Sequence, residues 1–476
     1  MYALKKIGKI CPKNSSQIKN SRFGIGLEKL DRDLYDPKDV YKPLAETGVK
    51  YVRIQSGWQK TEKVKGCYDF AWLDEIVNGI VSNSMIPWLC LCYGNPLYTE
   101  AAKNVRGSIG CPPINTPEER DAWDKYVSAC VERYGDRIEL FEIWNEPDGD
   151  HCWRHGANAE EYGQFANRTA NAIRKTNKNA KVIAGAIFSP NSTTYLHEFL
   201  KEIKPGNIDY ISCHQYKYIV ETGVEEYAAG FKSMLASFDK NVGLIQGETG
   251  TQSEFSRQGA LCYGDWTPRK QAKFLLRKMV IDLKTDFLFT SYFTAVDVFE
   301  NIMDESGDIC KDYYGFFGIL GETFDKEGKP CGSYYKKESY YALQNLCAAF
   351  ARDYEKTVLP IFFERSYSIA IGREDENPYI VNSSIKYQGF KNEKGHAFVY
   401  WNASDLMTTD YTSTISVRCF NLSSDVKILD TYTGEVFVPS ESAVTAKDGE
   451  IALSHIPIKD YPLILTFGDF YDYSAE

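Results

Sequence analysis

Between residues 23 and 350, short apolar runs alternate with longer stretches whose apolar residues recur at helical spacing. The runs are FGIGL at Phe23, YVRIQ at Tyr51, IPWLCLC at Ile86, IELFEIW at Ile138, KVIAGAIF at Lys181, IDYISCHQY at Ile208, VGLIQGE at Val242 and FLFTSYFTAV at Phe287. A short, nearly continuous apolar run is a strand buried on both faces. Its alternation with amphipathic helices gives a parallel sheet. Eight such units close a barrel, so the expected class is α/β, a (β/α)8 TIM barrel over residues 23–352. An open doubly wound sheet is the alternative, but no Gly-rich dinucleotide fingerprint follows an early strand.

Helix-start signals support the alternation. Thr116-Pro117 and Thr267-Pro268 each place a hydroxyl cap before a Pro at the first helical position. Asn158 offers a similar cap, and Asp36-Pro37 is expected to open the helix after strand one. After Asp353 the helical period disappears. TVLPIFFERSYSIAIG, HAFVYWNAS, TISVRCF, VKILDTYTG, IALSHIPI and PLILTFG are short strands divided by turn residues. They predict a C-terminal all-β sandwich over 353–476. Residues 1–22 form a separate N-terminal segment that is expected to add a strand to that sandwich.

Composition narrows the class further. Of the 476 residues, 43% are hydrophobic and 25% charged, the globular range. A net charge of −10 argues against nucleic acid as partner, because phosphate binding needs a positive surface. No apolar run is long enough to span a membrane, so no membrane partner is expected. The 13 cysteines are scattered, without a C-x2-C pair, and are expected to be reduced thiols in a cytoplasmic protein. Aromatic content of 14% suits a sugar-binding cleft, whose rings pack against C–H faces, but it also suits a large core.

Barrel enzymes carry their chemistry at the C-terminal ends of the strands. Strand four ends in Trp144-Asn145-Glu146-Pro147 and strand seven in Gln246-Gly247-Glu248-Thr249. Two carboxylates facing each other across a barrel mouth are what glycosidic bond cleavage requires. Glu146 is the expected general acid/base and Glu248 the nucleophile. Strand alternation puts Leu140, Glu142, Trp144 and Glu146 on one face, so Glu142 lies deeper and is expected to pair with Arg53. His214 and Tyr216 share a face at the end of strand six. Tyr216 is placed to bond Glu248, and His214 to meet sugar hydroxyls. Tyr216 and Arg53 are expected to favour charge on Glu248, and Trp144 and the neighbouring anion to raise the pKa of Glu146. His151 and His155, with Asp148 and Asp150 nearby, are weighed as metal ligands and set aside, because Gly149 and Gly156 make their segment a loop. Trp153 in that loop is the expected substrate contact.

These segments resemble the clan A glycoside hydrolases, and glycoside hydrolase family 39 in particular, over most of the chain. FEIWNEPD resembles the family's acid/base segment, with Asn145 before the acid. IDYISCHQY is similar to its strand six and SYFTAVDVFEN to its strand eight. YGFFGILG and the helix ESYYALQNL are similar to the end of its barrel. The resemblance adds Glu300 as an acceptor from a sugar hydroxyl. It also marks Phe293 as standing where the family usually has Trp, Gln55 where it often has His, and Gly247 where Thr or a similar residue usually precedes the nucleophile.

The expected activity is a retaining, exo-acting glycoside hydrolase that removes a terminal sugar, β-xyloside-like or a related neutral glycoside. The family's activities include β-xylosidase and α-L-iduronidase, so the resemblance leaves the glycone unassigned. The expected partner is an oligosaccharide or glycoside; no metal or cofactor is expected, and a homo-oligomer stays open. The alternatives are an endo-acting clan A glycanase, a non-catalytic carbohydrate-binding barrel, and a transglycosidase using the same intermediate. The long loops 93–116 and 251–266 favour a cleft closed at one end.

Overall fold

The computed structural model describes residues 4–189, 192–303, 309–331, 333–369 and 385–475. Strands Phe23–Gly26, Tyr51–Gln55, Ile86–Leu91, Leu140–Ile143, Lys181–Ile187, Tyr210–Cys213, Gly243–Thr249 and Thr290–Tyr292 pair in parallel, in sequence order. The last returns to the first and closes the barrel. They are numbered one to eight below. The bottom of the barrel is filled by Trp88, Leu140, Ile183, Ile245 and Phe289, the apolar interior layer such barrels build from facing strands. Directly above it the interior turns charged. The Arg53 guanidinium lies 5.7 Å from the Trp88 ring centroid and bonds Glu142 Oε2 at 2.7 Å, both side chains fully buried.

Most helix starts follow the sequence. Thr116, Asn158 and Thr267 accept from the backbone N–H three residues on. Asp36-Pro37 instead caps a 3-10 turn, Pro37–Asp39, and the helix begins only at Tyr41. Pro43 in the first turn of that helix lacks an N–H to lose there.

The C-terminal strands form two antiparallel sheets, one of eight strands and one of four. The larger sheet includes the N-terminal strand Leu4–Ile10, which pairs with Glu435–Pro439 on one side and Tyr473–Ala475 on the other. The expected strand run at 357–372 is described only to Ile369; 370–372 lie outside the described residues. The twelve cysteines whose side chains are described are free. Among the described residues no helix is long and apolar enough to cross a membrane.

Helix Pro268–Lys284 is buried along almost its whole length, so its cations have to be paired. Lys273 Nζ reaches Asp460 Oδ2 at 2.9 Å and the Met407 carbonyl at 2.8 Å in the sandwich domain. Arg277 clasps both oxygens of Glu221, at 2.7 and 2.5 Å, and donates to the Ser404 carbonyl. The Trp401 indole N–H donates to the same Glu221 at 2.8 Å. Glu221 sits in the loop after strand six, so this cluster ties an active-face loop to the sandwich. Glu221→Ala leaves Arg277 buried without its partner. It is expected to lower stability by about 3–5 kcal/mol in urea unfolding; a loss under about 1 kcal/mol would show that the cluster holds nothing together.

Candidate active site

The C-terminal ends of strands one, two, four, six, seven and eight converge on one cleft. At strand four the backbone leaves the extended region: Trp144 has φ +68° and Glu146 φ +45°. Left-handed conformation is disfavoured for residues with a Cβ and is held here by the surrounding packing. Its consequence corrects the simple alternation. Trp144 does not share the interior with Glu142 and Glu146. Its ring turns outward against Trp123, Trp153 and Phe165, and its N–H donates to the Cys152 carbonyl. Only Asn145 and Glu146 are left facing the cleft side of the turn.

Glu248 is held from two sides. Arg53 Nη1 donates to Oε2 at 3.0 Å and the Tyr216 hydroxyl to Oε1 at 2.7 Å. Gln246 fixes the backbone below it by donating to the Glu248 carbonyl at 2.7 Å. Gly247 has a local cause: a Cβ there would stand 2.0 Å from Ser212 Oγ and 3.0 Å from His214 Nε2. Glycine lets the buried His214 ring lie beside the strand.

Glu146 faces Glu248 across that ring. His214 Nδ1 is 3.0 Å from Glu146 Oε1 and 3.8 Å from Glu248 Oε2. One carboxylate oxygen from each glutamate and the His214 nitrogen all lie within 4.8 Å of one another. His151 Nε2 contacts the other oxygen of Glu146 at 2.7 Å. Burial alone would raise the Glu146 carboxyl, but the hydrogen bonds from His151 and His214 outweigh it and bring it to about 2. The rise expected from sequence is therefore reversed, and Glu146 rests as an anion. The bonded Cys152 and Glu146 side chains push His151 up to about 11. The pair thus holds one proton between them, on the imidazole. His214, which burial would lower, is raised by the Glu248 charge and the Glu146 bond.

The other expected residues divide. Asn145 Oδ1 accepts from Arg53 Nη2 at 2.8 Å. Gln55 Oε1 accepts from the Lys29 backbone and from Arg32 Nη2, at 3.1 and 3.2 Å. Glu300 receives Lys29 Nζ at 2.8 Å and lies 3.7 Å from Arg32 Nε, so these cations, against the effect of burial, hold its carboxyl low. Phe293 is half-buried beside strand seven, donating its N–H to the Thr249 carbonyl and meeting Phe317 edge-on. Trp153 is the correction: it is fully buried among Trp144, Tyr162 and Phe165 and bonds Glu161, so it props the loop from beneath and meets no substrate. The weighed His151/His155 pair also separates. His155 turns to Glu161, Asp148 accepts the N–H groups of Phe188 and Ser189, and Asp150 that of Ala157.

Sequence reasoning missed Glu28, Lys29 and Arg32, just past strand one. The signal was present, because the rule that found Glu146 and Glu248 applies to strand one as well. Glu28 Oε1 is 3.3 Å from Arg53 Nη1, and Thr294 Oγ1 donates to its other oxygen at 3.2 Å. Burial pushes Glu28 up to about 7, with Arg53 opposing and the Glu248 charge adding. The folded state therefore binds this proton more tightly than the unfolded chain. This carboxyl lowers stability progressively as pH rises from about 4.5 to about 7. Glu28→Gln has no such proton to lose, so its stability is expected to fall less than wild type across that window, by about 2–3 kcal/mol in urea unfolding. Identical pH slopes would show that Glu28 is ionised throughout.

The family model described as Glycosyl hydrolases family 39 matches residues 27–331. A beta-xylosidase of Geobacillus stearothermophilus is 28% identical over 219 residues, 42% of this chain and 43% of the relative. Beta-galactosidase BgaA of Clostridium cellulovorans is 32% identical over 149 residues, 28% of this chain and 22% of the relative. The matches thus span less than half the length of these curated relatives. Among solved structures, a family 39 glycoside hydrolase from Bacteroides cellulosilyticus WH2 has a TM-score of 0.64 at 15% identity, over 96% of this chain and 83% of that chain. A monomeric beta-xylosidase from Caulobacter crescentus CB15 has a TM-score of 0.59 at 15% identity, over 97% and 98%. At such identities the structural likeness establishes the shared fold. The family match covers well over half the residues, and on that ground the chain belongs to glycoside hydrolase family 39.

Proposed function

We propose that this protein is a retaining glycoside hydrolase that releases a terminal neutral sugar, β-xyloside-like, with Glu248 as nucleophile and Glu146 as acid/base. The observation that carries the reading is the approach of the two carboxylates, with an oxygen of each within 4.8 Å of the other. Retaining enzymes hold the pair about 5–5.5 Å apart, whereas inverting enzymes leave about 6.5–9.5 Å for a water. The spacing supports direct attack by one carboxylate.

In the first step Glu248 attacks the anomeric carbon as the glycosidic oxygen leaves with a proton from Glu146. In the second, water loses a proton to Glu146 and displaces Glu248. Arg53 and Tyr216 aim Glu248 and stabilise its charge when it leaves. The proton on the Glu146–His151 pair is the one the leaving oxygen takes. His151 is the half-exposed partner of the two, so an arriving aglycone can displace it. Low polarity in the filled cleft then favours the neutral acid over the separated charges.

The sugar class is supported by two of the similar proteins, which are named beta-xylosidases. Lys29 and Arg32 are both turned to Glu300, which suits a neutral glycone better than an acidic one. Exo action is supported by loop 93–116, where Arg106 donates to the Arg32 carbonyl at 3.2 Å and walls the rim beside strand one.

A panel of nitrophenyl glycosides is expected to show turnover of the β-xyloside or a near relative. With the reactive glycoside, Glu248→Ala is expected to lose turnover and to regain it with azide, giving the glycosyl azide of inverted configuration. Full activity without azide removes Glu248 from the nucleophile role. Glu146→Ala is expected to slow poor leaving groups by about 10²–10⁴-fold and activated ones far less; equal slowing of both removes it from the acid role.

A further inference from the structure

The turn that carries Glu146 also brings a thiol to it. Gly149 N–H donates to the Glu146 carbonyl, and Cys152 N–H to the Gly149 carbonyl. This folds residues 146–152 back on themselves. One carboxylate oxygen of Glu146, one ring nitrogen of His151 and the Cys152 sulfur all lie within 4.8 Å of one another. We propose that Glu146, His151 and Cys152 form an inhibitory site for a borderline-soft divalent cation of the zinc class.

The donor set selects the ion. One oxygen, one nitrogen and one sulfur suit zinc or cadmium, while magnesium and calcium take oxygen alone. A tetrahedral zinc with bonds of about 2.0–2.3 Å sets its ligand atoms roughly 3.3–3.8 Å apart. The cluster thus closes on an ion by movements of about an ångström, and the half-exposed His151 ring is free to make them. That same exposure is the route in from solvent. Asn145 Nδ2 donates to the Cys152 sulfur at 3.5 Å, the kind of outer contact that favours a thiolate ligand. On binding, the Cys152 thiol and the His151 imidazolium each lose a proton to solvent, and the sulfur–metal and nitrogen–metal bonds take their place. Three protein ligands leave a fourth position for water. This is not the His151/His155 pair weighed from the sequence, since His155 is bonded to Glu161.

The consequence rests on the proposed role of Glu146. A carboxylate bound to zinc carries no proton for a leaving oxygen, so the ion inhibits and competes with the glycoside. Binding itself does not depend on that role, and it is measured first without substrate. Cadmium chloride is expected to give a thiolate-to-metal absorption band that Cys152→Ser abolishes. Zinc chloride titrated calorimetrically is expected to bind at least tenfold more weakly to both Cys152→Ser and His151→Asn. Replacing the exposed Cys67 and Cys331 by Ser should leave zinc affinity unchanged, and magnesium chloride should not compete. Zinc affinity equal to wild type in both variants overturns the site. So does a wild-type protein that binds no zinc. Zinc held by Glu146, His214 and Glu248 instead, which also lie within 4.8 Å of one another, would be indifferent to Cys152→Ser and would overturn it too. A protein that binds zinc as described but cleaves no glycoside keeps the site and sinks the proposed activity.

Discussion

One buried guanidinium organises the barrel mouth. Arg53, on strand two, meets Glu142 of strand four, Glu28 beyond strand one, Glu248 of strand seven and the Asn145 side chain. A planar fork of five N–H donors can serve several acceptors in fixed directions, whereas a lysine ammonium would act as a single rotating point. One cation among three carboxylates leaves an excess of negative charge, and the site resolves it locally. Glu142 lies deepest, at the shortest of these ion-pair contacts. Glu248 shares Arg53 Nη1 but has the Tyr216 hydroxyl as well. Glu28 is the member that keeps its proton to higher pH. Even the chain's path yields to this arrangement: a Cβ on Gly26 would come within 1.9 Å of a Glu28 oxygen.

The sandwich reaches the same cleft from behind. Helix Pro268–Lys284 lies between the barrel and the C-terminal sheets, with its cations turned to partners on both sides. The Glu221 carboxylate, held by Arg277 and Trp401, sits five residues beyond Tyr216. The segment between them is therefore anchored at both ends: by the barrel strand, and by Glu221, which Arg277 holds from the barrel helix and Trp401 from the sandwich. A hydrogen bond from Tyr216 to Glu248 is useful only if the tyrosine is aimed, and part of that aim derives from the second domain.

The barrel was legible because its signal is periodic and repeated. Eight apolar runs each had to be buried on both faces, and eight parallel strands with intervening helices close into a barrel that buries them all. Glu146 and Glu248 were legible because strand ends in such a barrel all point to one place. What was not legible depended on single dihedral angles or on contacts between loops. The left-handed turn at Trp144 reversed the side that the alternation assigned to it, and with it the expected effect on Glu146. Trp153 is expected from sequence to be a substrate contact because it lies in the loop after Glu146; instead it packs against the outward-turned Trp144. The grip of His151 on Glu146 spans five residues of irregular backbone, and no period predicts it.

The two glutamates differ most in how their partners can move. Glu248 is bonded to Arg53, fully buried, and to Tyr216, set in the anchored strand-six segment. Its partners are set within the barrel, as suits the proposed nucleophile, whose charge has to be stabilised again each time the glycosyl ester breaks. Glu146 has one fixed partner, the buried His214, and one at the rim, His151. In the proposed roles, an acid/base must change protonation state twice in a cycle, so a partner able to swing away would be useful to Glu146 and harmful to Glu248. That same looseness is what would let the proposed metal enter between Glu146, His151 and Cys152. On the proposed reading, the freedom that would permit proton transfer and the vulnerability to a cation are one property of this loop, set by the turn from Glu146 to Cys152.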